Sequence, residues 1–228
     1  MATVLKKEIR QILERSKPHG WVLEPDAKRI FSLCGISVPT YHWVQTAAEA
    51  IEAAKSIGYP VVAKLVSPAV VHKSEAKGVE VGIQSDKALQ SIFSRFARHE
   101  AFAGMLVEEM VSGLELIVGG KIDEQFGPVV LLGMGGTGVE IYKDTALRMA
   151  PIKASDVASM INCLTAGKLL RGFRGEAAID MQALIGVMTA FSGLLMKLAD
   201  QITSIDLNPV ICSPKGCHVA DARILLSE

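Results

Sequence analysis

The loop SPAVVHKSEAKG places His72 between two strand-like runs, with Lys73 and Lys77 beside it supplying charge that could hold phosphate. An imidazole there is either a reacting group or a solvated side chain. Lys64, in the preceding run VVAKLV, has the same two readings. It is a compact point charge suited to phosphate, or a lysine snorkelling from a strand end. GMGGTG, Gly133 to Gly138, satisfies G-x-G-x-x-G after a strand. The dinucleotide reading fails because the fingerprint needs a helix starting at the glycines, and VEIYKD alternates like a strand. What remains is a glycine-rich hairpin bend whose amides can approach a phosphate, or a tight turn without ligand.

The carboxyl-terminal segment SIDLNPVICSPKGCHVADARILL permits a register argument. A turn at Ser213-Pro214-Lys215-Gly216 sets Cys212 opposite Cys217, and carrying that antiparallel register along the strands sets Asn208 opposite Asp221. Facing Cβ atoms lie about 4.5–5.5 Å apart. An amide oxygen and a carboxylate then converge as hard oxygen ligands suited to magnesium on a nucleotide's phosphates. Asp206, two residues back on the same face, adds a second carboxylate. An ordinary polar strand face, with Pro209 marking an edge or bulge, explains the same residues. In VEEMVSGLELIVG, Glu108 and Glu115 stand on either side of a turn at Ser112-Gly113, where backbone groups could read an adenine edge and a carboxylate could take ribose hydroxyls. Two solvated glutamates are the plainer alternative.

These residues need elements to hold them. Residues near the start, MATVLKKEIRQILERS, form an amphipathic helix without a signal peptide's apolar core. Thr46 and Glu49 form a capping box for TAAEAIEAAKSI, which Gly58 closes. Strands are expected at YPVVAKLVS and VEVGIQ, a helix from Asp86 to Phe102, then the strand GMLVEEMV. Hairpins follow in ELIVGGKID, PVVLLGMG, VEIYKD and ALRMAPI. Two helices, ASDVASMINCL and MQALIGVMTAFSGLLMKLAD, flank the basic linker LLRGFRGE before the final strands. The pattern is α+β, divided as an arm over 1–20 and lobes over 21–105 and 106–228.

Composition narrows the function. The 228 residues carry 24 basic and 24 acidic side chains, so no net field gathers nucleic acid or an anionic membrane. No run reaches membrane-spanning length, and a cytoplasmic location is expected. The four cysteines, Cys34, Cys163, Cys212 and Cys217, read as reduced thiols. Cys212, Cys217 and His218 match no common zinc spacing.

Taken together, YPVVAKLVSPAVVHKSEAKGVEVGI, LVEEMVSGLELIVGGKIDEQFGPVVLLGMGGTGVEIYKDTALRMAPI, LLRGFRG and SIDLNPVICSPKGCHVADARILL resemble the ATP-grasp domain of ADP-forming acyl-CoA synthetases, specifically their β subunit. Succinyl-CoA synthetase β subunits look more distant. The resemblance implies two α/β lobes with ATP or ADP and Mg²⁺ between them. It implies that Lys64 touches phosphates, that Glu108 and Val111 hold adenine at the hinge, and that Glu115 binds ribose. Gly135 and Gly136 match the phosphate-facing loop, Arg148 a γ-phosphate contact, and Asn208 and Asp221 the magnesium ligands. His72 matches a transiently phosphorylated histidine and Asp206 an acidic residue orienting it. Neutral imidazole suits such a relay, being a good nucleophile and, once phosphorylated, a good leaving group.

No CoA-binding portion is visible, so the resemblance implies a CoA-binding α subunit in a hetero-oligomer such as α2β2. Lys77 replaces one of the family's paired glycines. A self-contained ATP-grasp carboxylate–amine ligase leaves His72 without a role, and a nucleotide-sensing module leaves the phosphate, metal and histidine set unexplained.

Overall fold

The computed structural model describes residues 2–70, 73, 75–136 and 144–227, with the backbone alone for 2–6. His72 and the expected strand VEIYK therefore lie outside the described residues. In chain order the first elements are α1 (Ala2–Ser16), β1 (Trp21–Val22), α2 (Glu24–Leu33), β2 (Tyr41–Val44), α3 (Ala47–Ile57), β3 (Val61–Val66), β4 (Val79–Ile83), α4 (Asp86–Phe96) and β5 (Gly104–Glu109). There follow β6 (Leu114–Asp123), β7 (Gly127–Met134), β8 (Thr145–Met149), α5 (Ala154–Cys163), α6 (Gly167–Leu170), α7 (Met181–Leu198), β9 (Ile202–Ser213), β10 (Gly216–Val219) and β11 (Ala222–Leu226).

The chain divides into two units, Pro39–Val111 and Met1–Val38 with Ser112–Glu228. The smaller is a four-stranded antiparallel sheet in the order β2-β5-β3-β4. Ala50, Ala53 and Ala54 of α3 and Leu89 and Phe96 of α4 pack with Val61, Ala63, Leu65, Met105 and Val107 from alternate strand positions. The capping box forms as expected: Glu49 N–H donates to Thr46 Oγ1 at 3.2 Å, and Thr46 N–H to Glu49 Oε2 at 3.1 Å. The second helix stops at Phe96, short of the expected Phe102, and Ala101 adopts a left-handed φ of 50°.

The larger unit is a seven-stranded sheet in the order β1-β11-β9-β6-β7-β8, with β10 also pairing β9. Its core joins Ile12 and Leu13 of α1, Ile30 and Phe31 of α2, Val157 and Met160 of α5, and Leu184, Met188, Phe191 and Leu195 of α7 to the sheet's Val118, Val130, Leu132, Ile205 and Leu207. By length and composition α7 could cross a bilayer, contrary to the expectation from run length, but those four side chains are fully buried in this core.

The division also corrects the expected boundaries. β1 pairs with β11, and α1 and α2 contribute to the larger core, so residues 1–38 belong with the carboxyl-terminal part. Strand pairing between distant segments leaves no mark in local periodicity.

Candidate active site

The expected carboxyl-terminal register is the observed one. Cys217 pairs with Cys212, and the same register resumes in β11 with Ala222 opposite Leu207 and Arg223 opposite Asp206. The partner strand breaks between Val219 and Ala222, and Asp221 sits in that break, where its backbone carbonyl accepts from Asn208 N–H at 3.1 Å. Asn208-Pro209 forms a bulge: these two residues stand between Leu207 and Val210, whose partners on β6, Val118 and Leu116, are separated by Ile117 alone. Proline donates no ladder hydrogen bond, so a bulge accommodates it inside a paired strand.

Ile205 and Leu207 point into the helix-covered core, leaving Asp206 on the opposite face. Asn208 is exposed; Asp206 and Asp221 are half-buried. Burial pushes the Asp206 carboxyl above its ordinary range, the Arg223 cation opposes that rise, and the neighbouring Asp221 charge adds to it.

On β6, Glu115 pairs with Ile211, and its register places it on the same sheet face as Asp206, whose partner is Gly119. Gly135 N–H donates to Glu115 O at 2.7 Å, and a Cβ on Gly135 would stand 2.7 Å from that carbonyl. Only glycine permits this approach. Gly136 follows with φ +90°, and a Cβ there would lie 3.9 Å from Glu115 Oε2. The glycine bend and the carboxylate expected at ribose are thus assembled together.

In the smaller unit Lys64 and Glu108 lie on the same face of β3 and β5, because Val62 pairs with Glu108 and Lys64 with Leu106. Both are buried, and Lys64 Nζ lies 3.1 Å from Glu108 Oε2. Lys64 is therefore an ion-paired lysine inside the sheet, neither solvated nor snorkelling. Val111 is half-buried at the end of this unit. After the histidine position, Gly78 N–H donates to Lys73 O at 2.7 Å, and Lys77 has φ +51° in the left-handed region. The side chain that replaces a family glycine thus stands where glycine is conformationally favoured.

Within the larger unit, Arg148 does not share the sheet face of Asp206 and Glu115. It pairs with Val130, a core residue, and so faces the helices; its guanidinium donates to Leu147 O and Ser159 Oγ, both at 2.8 Å. Sequence reasoning missed Arg223, although the same register that paired Asn208 with Asp221 also sets Arg223 against Asp206. The reduced-thiol reading fails at Cys212 and Cys217, which form a disulfide with Cα atoms 4.1 Å apart. Their direct opposition brings the sulfurs together. His218 Nδ1 instead lies 2.9 Å from Ser37 Oγ.

A family model described as an ATP-grasp domain matches residues 13–226. The chain belongs to the ATP-grasp family. It is 38% identical to the β subunit of ADP-forming acetate–CoA ligase I of Pyrococcus furiosus, over 95% of this chain and 97% of that protein. An ADP-forming 4-hydroxybutyrate–CoA ligase of Nitrosopumilus maritimus is 36% identical over 96% of this chain, which spans only 32% of that longer protein. The fold matches a structure of Ca. Korarchaeum cryptofilum acetyl-coenzyme A synthetase 1 at a TM-score of 0.84 and 38% identity, covering 96% of this chain and 100% of that one. That protein holds coenzyme A and Mg-AMPPCP, with its phosphohistidine segment pointing towards the nucleotide binding site.

The ATP-grasp fold implies a divalent cation, and the donor set fits one. Among the described residues no group of three or more His, Cys, Asp or Glu side chains could hold a metal. Asn208 and Asp221 instead offer an amide oxygen and a carboxylate, two hard ligands of the kind magnesium takes while keeping waters and phosphate oxygens for its remaining positions.

Proposed function

We propose that this ATP-grasp chain is the nucleotide-binding β subunit of an ADP-forming acyl-CoA synthetase, acting in acyl-CoA + ADP + phosphate ⇌ acid + ATP + CoA. The match along nearly the full length of an acetate–CoA ligase β subunit carries this reading. CoA and the acyl group belong to a partner α subunit in a cytoplasmic hetero-oligomer.

His72 carries the phosphoryl group. Its N–P bond breaks as a terminal phosphate oxygen of ADP forms the new P–O bond, and Asp206 orients the imidazole. Lys64 contacts phosphate and shares its charge with Glu108. Backbone groups from Glu108 to Val111 hold adenine, Glu115 takes the ribose hydroxyls, and the amides at Gly135 and Gly136 approach phosphate. Asn208 and Asp221 hold magnesium, which supplies charge neutralisation at the phosphoryl oxygens when bound. Arg148 is left out because its guanidinium is engaged on the helix side of the sheet.

The test is reconstitution with a CoA-binding α subunit. ATP formation from acyl-CoA, ADP and phosphate should require both chains and be abolished in His72→Ala, while Mg-nucleotide affinity stays nearly unchanged. Labelled phosphate should appear on this chain in an acid-labile, base-stable form. Full coupled activity in His72→Ala would refute the carrier role. Turnover of acid, ATP and an amine by this chain alone would favour a carboxylate–amine ligase.

A further inference from the structure

We propose that Arg223 is the arginine that binds the phosphoryl group in transit, where the family resemblance implied a γ-phosphate contact by Arg148. This rests on the phosphoryl-transfer reading above. β11 sets Arg223 directly opposite Asp206 and two residues beyond Asp221, so its side chain shares their sheet face. A guanidinium nitrogen lies 3.8 Å from Asp206 Oδ2, and the side chain is 30% exposed. The side chain is anchored at Asp206 and remains partly open to solvent.

Charge decides why a cation is needed there. Asp206 and Asp221 put two carboxylates on the surface that must receive a phosphoryl group, and like charges at such range repel. The Asn208–Asp221 pair recruits one compensating cation. Arg223 is a second, built into the sheet. A planar guanidinium can engage a carboxylate along one edge and phosphoryl oxygens along another, and it stays charged at any working pH. Its position on a paired strand also preorganises it, so charge developing on the transferred group meets a donor already in place. Arg148 carries the same group on a paired strand, but the strand pleat turns it to the helix-covered face and Ser159 holds it there.

Arg223→Gln, Arg223→Lys and Arg148→Gln are compared in the reconstituted enzyme. Arg223→Gln should lower kcat for ATP formation by about 100-fold, the scale of losing one preorganised donor, with little change in KM for ADP. Arg148→Gln should leave kcat near wild type. Arg223→Lys keeps a cation opposite Asp206 but loses the fork, so it should keep the wild-type melting temperature and recover only part of kcat.

A binding measurement needs no acyl-CoA chemistry. By calorimetry of the purified chain without magnesium, Arg223→Gln should weaken the β,γ-methylene analogue of ATP more than ADP. Full recovery of kcat in Arg223→Lys would overturn the proposal in favour of a purely structural ion pair. So would normal kcat in Arg223→Gln, or equal weakening of the two nucleotides. An inactive wild-type reconstitution would overturn the proposed function instead, and the discrimination between the two nucleotides would still decide the role of Arg223.

Discussion

Lys64 Nζ and Glu108 Oε2 lie 3.1 Å apart on adjacent strands, both side chains buried. Removing one member of such a pair strands the other charge and costs about 3–5 kcal/mol, whereas replacing both by apolar residues of similar volume is often neutral. Glu108→Leu should therefore destabilise the chain by about 3 kcal/mol in urea unfolding, and the double variant Lys64→Met/Glu108→Leu should regain most of that loss. Strictly additive losses would show that the two charges are not coupled. The double variant should nonetheless bind nucleotide weakly, because it regains stability without the phosphate-binding charge of Lys64.

Asn208→Ala and Asp221→Ala should each weaken nucleotide binding by about tenfold or more when magnesium is present, and little in its absence. Calorimetry of the purified chain, with and without the cation, measures both. Affinities equal to wild type in magnesium would remove these two residues from the metal site.

The disulfide between Cys212 and Cys217 predicts a simple thiol count. In denaturant without reductant, alkylation should label Cys34 and Cys163 alone, the two free cysteines. Reduction beforehand should expose the remaining pair. Cys217→Ser should lower the unfolding free energy by about 2 kcal/mol, the lower end of the usual range, since the closed loop is short. Labelling of all four without reductant would contradict the linkage.

Tyr59 gives a pH signature in the smaller unit. Burial and the hydrogen bond its hydroxyl donates to Asp86 Oδ1, 2.9 Å long, push the phenol up from 10.0 to about 12. Because the folded pKa lies above the unfolded one, this group's contribution to stability is complete below about pH 10 and is lost as pH rises through about 12. Absorbance titration should show a late phenolate transition that disappears in Tyr59→Phe, and the variant's stability should fall less steeply across that window. A Tyr59 transition centred near pH 10 would overturn the assignment.

Residues close in sequence determine much of this protein without any tertiary contact. The capping box at Thr46 and Glu49 closes within one helical turn, and the register that sets Cys212 against Cys217 and Asp206 against Arg223 follows from a short turn and the period-two alternation of a strand. The tertiary structure decided what joins distant segments. Whether Arg148 faces nucleotide or helix depends on its pairing with Val130 of β7, and whether Lys64 meets solvent or Glu108 depends on β5 lying beside β3. The amino-terminal residues join the larger unit because β1 finds β11 at the far end of the chain. Local spacing sets which side chains alternate along a strand, but only hydrogen bonding between strands sets which neighbour each strand acquires and so what each alternating face meets.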